Sequence, residues 1–301
     1  MNEIATEVTV RRAAQTRVNG QNSERVFKIT QKFLDVFGIG EAVQVEILSL
    51  IPEHVGLGSG TQLALAIGIA INELFGLKLS VREIASLSER GARSGIGIGT
   101  FEHGGLIVDG GRALDTETPP TICRLPFPAD WRFILVFDRR GQGLNGTREI
   151  EAFRRLTSFP EANAARICHL LLMKALPALA EQDLAAFGHS ITEIQQSVGD
   201  YFAPAQGGRF MSAEVETAIA WLGGRGAVAM GQSSWGPTGF CVVENEAIAC
   251  DLVDSVSPLF RNQPELSFRI VSAQNQGGAT RVLSNQVITD RAPVRMNSKR
   301  S

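Results

Sequence analysis

Three glycine-rich strings carry the residues whose types and spacing could do chemistry. In PEHVGLGSGT (52–61), Gly56, Gly58 and Gly60 alternate directly before a long apolar run. Glycines serve a sharp turn into a helix. With Ser59 and Thr61 between and beside them, they would also bare a loop whose N–H groups hold an anion, the helix macrodipole behind it. Both readings stand at this level. The loop lacks the lysine of the G-x-x-x-x-G-K-[ST] signature and the spacing of G-x-G-x-x-G. The second string, SGIGIGTFEHGG (94–105), sets Glu102 and His103 between glycines in an expected loop, where backbone would fix an acid/base pair. Asp109 ends the next strand, as a metal ligand or as a turn residue. The third, GQSSWGPTG (231–239), offers the Ser233 and Ser234 hydroxyls and Trp235, which is either core or a stacking platform. Arg139, Arg140 and Arg148 bracket the loop GQGLNG and would clamp a phosphate or carboxylate.

Ordinary elements must hold these strings. Residues 5–12 and 42–51 read as strands, and 23–37 has apolar residues at helical spacing. TQLALAIGIAINELF reads as a buried helix with Gly76 as its C-cap, and Ser80 with Glu83 forms a capping box for the next. LIVDGG (106–111) is a strand. Four prolines between 115 and 130 mark the expected domain boundary. Beyond it, WRFILVFDRR is a strand, about forty helical residues follow the GQGLNG loop, and strands recur within 226–245 and at 267–274. Strands and helices mix without regular β-α-β alternation, which predicts an α+β fold.

Composition excludes several classes. Of 301 residues, 29 are Lys or Arg and 31 Asp or Glu, so no global field draws a polyanion, and one Tyr leaves no aromatic binding groove for nucleic acid. Four dispersed cysteines form no C-x-x-C pair and read as reduced thiols. The polar start MNEIATEVTVRRAA is no signal peptide, and Leu63–Leu77 is too short and too polar to span a bilayer, so a cytoplasmic location without membrane partners is expected.

Pro52-Glu53-His54-Val55-Gly56-Leu57-Gly58-Ser59-Gly60 resembles the phosphate loop of the GHMP kinase superfamily, P-x-x-x-G-L-G-S-S, with Gly60 where most of those kinases have serine. The longer strings PEHVGLGSGTQLALA, SGIGIGTFEHGGLIVDGG and GQSSWGPTG, with GQGLNGTREIEAF, resemble a narrower family. That family is β-ribofuranosylaminobenzene 5′-phosphate synthase, and the likeness spans most of residues 5–285. The resemblance implies a two-domain GHMP kinase-like fold. Its parts would be a ribosomal S5 domain 2-like N-terminal domain (1–128) and a ferredoxin-like C-terminal domain (129–301). Members open with a strand and turn resembling T-P-S-R-L-H-F, so this sequence is expected to lack the first strand.

The resemblance further implies a pentosyltransferase of tetrahydromethanopterin biosynthesis. It would condense phosphoribosyl diphosphate with 4-aminobenzoate or 4-hydroxybenzoate and release CO2 and diphosphate. Gly56, Leu57, Gly58, Ser59, Gly60 and Thr61 would bind phosphate. Glu102 or His103 would be the acid/base, and His54, Arg139, Arg148, Ser233, Ser234 and Trp235 would contact substrate, with Phe101 beside the ring. Mg2+ is the expected cofactor, with Asp109 its candidate ligand, and no organic cofactor is expected. The related kinases usually carry a catalytic Asp within S-G-x-D of the second glycine string, where the nearest acid here is Glu102. ATP enters only if the chain is a GHMP-type small-molecule kinase, and a non-catalytic ligand-binding relative is the third reading. The expected partners are small molecules, with homodimerisation left open.

Overall fold

A computed structural model describes residues 1–92, 94–113, 115–141, 143 and 146–283, with the side chains of 146–148 and 150 outside the description. The first half builds a three-stranded sheet in the order β1 (Glu7–Ala13), β3 (Ala42–Ser49), β2 (Arg17–Asn19), with β1 antiparallel and β2 parallel to β3. Helices α1 (Ser23–Val36), α2 (Ser59–Phe75), α3 (Val81–Leu87) and α4 (Ile96–His103) join that sheet around one core. The α2 run is apolar nearly all round because it is buried nearly all round: Leu65, Ile67 and Ile71 have no exposed surface. Gly76 ends α2 in the left-handed conformation, and the Ser80–Glu83 capping box forms with both reciprocal bonds. A hairpin of β4 (Leu106–Asp109) and β5 (Thr121–Leu125) follows. Neither β5 nor the short β2 was expected. The prolines that suggested only a break flank β5.

The second half is a four-stranded antiparallel sheet ordered β7 (Val228–Gln232), β8 (Gly239–Val243), β6 (Arg132–Asp138), β9 (Leu266–Ser272). With α9 (Ala213–Gly223) before β7 and α10 (Glu246–Val256) before β9, the chain order is β-α-β-β-α-β, the ferredoxin-like arrangement. Between β6 and α9 runs a helical insertion: α5 (Gly146–Arg155), α6 (Glu161–Leu170), a π-helical turn (Leu171–Ala175), α7 (Leu176–Ala180) and α8 (Leu184–Gln206).

This sheet is covered on both faces, which is why RFILVFD reads as a continuous apolar run rather than an alternating one. α9 and α10 cover one face over Ile134, Val136 and Val243. On the other, α7 and α8 pack over Ala229 and Val242 at the β7–β8 end. At the β6–β9 end, Leu135, Phe137 and Val271 are covered by Val55 and Leu57 of the first glycine string, together with Met1 and Ile4.

Candidate active site

The alternation V-G-L-G in residues 55–58 therefore has two jobs. Val55 and Leu57 anchor the loop on the second sheet, while Gly56 (φ 83°) and Gly58 (φ 70°) turn the backbone between them through the left-handed region. Gly58 is the N-cap of α2 and supplies no side-chain cap; the Thr61 N–H donates to the Gly58 carbonyl at 3.0 Å, and the N–H groups of Ser59 and Gly60 are the ones placed for a ligand. The turn reading and the anion reading are thus compatible.

The third glycine string docks on the first. A Cβ on Gly56 would stand 2.0 Å from the Ser233 carbonyl oxygen, and one on Gly236 would stand 2.2 Å from the Val55 carbonyl carbon. The Ser233 hydroxyl donates to the Gly56 carbonyl at 2.9 Å. Gly143 joins them, its N–H donating to the His54 carbonyl at 2.9 Å. His54 itself is exposed and in the left-handed region. Ser233 is therefore tied to the loop backbone, and Ser234 sits exposed beside it at a φ of 57°.

The second string meets the loop at α4. Gly97 lies against Thr61: a Cβ there would be 3.1 Å from Thr61 Cγ2, and Gln62 Nε2 donates to the Gly97 carbonyl at 2.8 Å. This string is a helix, not the expected loop, and that corrects the acid/base expectation. Five residues along an α-helix amount to a rotation of about 140°, so Glu102 faces away from the Gly97 contact. Its carboxylate lies 3.1 Å from Arg82 Nη2 and 3.8 Å from His103 Nε2. Both residues line an open groove with Thr121, Arg124 and Gln276 rather than the glycine loop. Phe101 packs on the first core instead of flanking a substrate ring.

Three further expectations change. Asp109 is a cap: it accepts from Ser94 Oγ at 2.8 Å and Gly95 N at 2.9 Å at the start of α4, and from Gly111 N at 3.1 Å. Both Asp109 oxygens are thus engaged in ordering the start of α4 and the turn after β4. Trp235 is buried, its ring 4.4 Å from that of Phe202 and 5.4 Å from that of Phe153, so it stiffens the loop instead of offering a platform. Arg140 is held by Asp138 and Glu214, each at 2.7–2.8 Å, while Arg139 is exposed. Burial alone would raise the Asp138 carboxyl. Hydrogen bonds from Arg140 and Ser212, with the Arg140 charge, instead bring it down to about 2. The side chain of Arg148 lies outside the described residues.

Two cations that no local pattern indicated do reach the loop. Arg25 on α1 and Arg90 just after α3 place guanidinium nitrogens 3.2 Å and 3.5 Å from where a Cβ on Gly60 would be. Glu53 pairs with the other terminal nitrogen of Arg25. They lie 35 and 30 residues from Gly60, so nothing short of the fold could have nominated them.

The GHMP kinases N terminal domain matches residues 24–105 and the GHMP kinases C terminal domain matches 175–257. Over 222 residues the chain is 39% identical to β-ribofuranosylphenol 5′-phosphate synthase of Archaeoglobus fulgidus, spanning 69% of this chain and 67% of that one. The chain belongs to the β-ribofuranosylphenol 5′-phosphate synthase family. A Methanothermobacter thermautotrophicus protein of the same name is 32% identical, over 77% of this chain and 73% of its own. The fold is shared more widely: homoserine kinase of Cytophaga hutchinsonii superposes with a TM-score of 0.65 at 18% identity, covering 91% of this chain and 87% of that one. Family membership and the GHMP fold are both as the glycine strings implied. No helix of the described residues is long and apolar enough to cross a membrane.

Proposed function

We propose that this chain condenses phosphoribosyl diphosphate with 4-hydroxybenzoate or 4-aminobenzoate, releasing CO2 and diphosphate. The observation that carries this reading is Gly97. It occupies the fourth position of S-G-I-G, packs against Thr61 at the mouth of the glycine loop, and has no side chain. A phosphoryl transfer to an alcohol calls for a group that takes the hydroxyl proton. The proposed reaction needs none there. The ring carbon that bears the carboxylate attacks ribose C1, and the C1–O bond breaks with its electron pair leaving on diphosphate. The bond to the carboxylate carbon then breaks, its pair restores the aromatic ring, and CO2 departs. No proton is removed from carbon.

The chain's own residues supply charge and position. First-turn N–H groups of α2, with Ser59 and Thr61, hold a phosphoryl group of the donor, and the docked 233–236 loop holds the glycine turn rigid. Charge that develops on the leaving diphosphate meets donors already aimed at it. Mg2+ would enter as the ion that accompanies diphosphate, and no step is routed through it. The test is a product assay. Purified protein with Mg2+, phosphoribosyl diphosphate and each aromatic acid should release CO2 and diphosphate in equal amounts, with ADP from ATP and small alcohols followed in parallel. ADP without aryl-dependent CO2 would replace this reading by a kinase.

A further inference from the structure

We infer that Arg25 and Arg90 form a second anion subsite over the first turn of α2, and that Gly60 is glycine so that both guanidinium groups can enter it. The ligand class is an anion with two linked phosphoryl groups, one on the α2 N–H groups and one on the arginines. The inference rests on the proposed function only in taking that anion as the departing diphosphate.

Both guanidinium nitrogens lie within 3.5 Å of the same empty point, the Cβ position of Gly60. They are thus at most about 7 Å apart, where like charges repel. Such convergence costs stability unless something negative is shared between them. Glu53 offsets part of it, but it engages the far nitrogen of Arg25 and thereby aims the near one at Gly60. Burial and the neighbouring Arg90 both hold Arg25 below the usual guanidinium range. Arg90 Nε is buried without a hydrogen-bond partner, which an anion would satisfy. Gly60 needs no positive φ, and the nearest tertiary atoms to its missing Cβ belong to the two arginine ends, so backbone conformation does not explain a glycine there. A Cβ at 60 would press on the Arg25 end by a few tenths of an ångström and just touch the Arg90 end, and a longer side chain would have to push one of them aside. Glycine lets the two charges close on the loop without being pressed back.

Direct binding of inorganic diphosphate and inorganic phosphate, measured by titration calorimetry without turnover, tests this. The wild-type chain should bind diphosphate more tightly than phosphate. Arg90→Gln should weaken diphosphate binding about tenfold to a hundredfold, the range of a lost charge-assisted contact, and phosphate binding much less. Gly60→Ser should narrow the preference for diphosphate while leaving the melting temperature unchanged. Arg225→Gln, which removes a remote arginine just after α9 stacked over Trp221, should change neither affinity. No diphosphate binding by the wild-type chain, or an unchanged preference in folded Gly60→Ser and Arg90→Gln, would overturn the subsite. Product formation with diphosphate affinity insensitive to both variants would sink the subsite and keep the proposed function. Arginine-dependent diphosphate binding without product would do the reverse.

Discussion

Replacing Gly56 by Ala probes the contact on which the site depends. Two costs apply. At φ 83° an alanine pays the left-handed penalty, about 1–2 kcal/mol. Its Cβ would also stand 2.0 Å from the Ser233 carbonyl oxygen and 3.1 Å from Gly236 Cα, both backbone atoms that cannot swing aside as a side chain does. The loops must part, losing the Ser233–Gly56 hydrogen bond, worth about 1 kcal/mol, and loosening the packing of Val55 and Leu57. The total is about 3–4 kcal/mol. Gly58 is the matched control, because its φ is 70° but nothing lies within 4 Å of its missing Cβ. Gly58→Ala therefore carries only the conformational penalty. For a chain this size the melting temperature should fall by about 5–6 °C for Gly56→Ala and about 2 °C for Gly58→Ala. Adding Ser233→Ala to Gly56→Ala should cost nothing more, since the bond it removes is already broken. Differential scanning calorimetry of the wild type, the two glycine variants, Ser233→Ala and the double variant reads all of this. Equal falls for the two glycine variants, or full additivity of Ser233→Ala, would show that the two glycine strings do not touch.

Three other outcomes are expected. Asp138 has a folded-state pKa of about 2 against an ordinary 3.8, so its contribution is present above about pH 4 and is lost as pH falls toward 2. Urea titrations should show about 2 kcal/mol disappearing over that interval. Asp138→Asn should remove that part of the pH dependence, and an unaltered profile would contradict the assignment. Glu102→Gln should lower thermal stability, through its pairing with Arg82, more than it lowers turnover. A fall in kcat of about 100-fold or more, the size general acid–base catalysis supplies, would return Glu102 to the reacting centre. Ser80→Ala should cost about 1 kcal/mol of stability by removing the α3 cap, with turnover unchanged, and an unshifted melting curve would argue against the capping box.

Much of the fold was legible because it follows from local rules. The α2 helix, its Gly76 cap and the Ser80 box rest on periodicity and capping chemistry within a few residues. Strands β1, β3, β6, β8 and β9 rest on pattern and bounding turns. Two short strands escaped, since three residues at β2 and a proline-flanked β5 carry little pattern. The reading of 94–105 failed for a physical reason. Glycine disfavours helix locally, but Gly95, Gly97 and Gly99 each lie where a Cβ would meet Pro119, Thr61 or Thr121, so close packing imposes the helix that propensity opposes.

The sequence by itself determined that a glycine turn would expose the start of a buried helix, and that the three glycine strings belong to one family. Only the tertiary structure decided what stands around that turn. It turned Glu102 away, spent Asp109 on a helix start and buried Trp235 among phenylalanines. It also brought Arg25 and Arg90 over Gly60. Chain-local forces fix which backbone groups are bare. Which charges face them depends on how helices 30 residues apart pack against one another, and no short spacing encodes that.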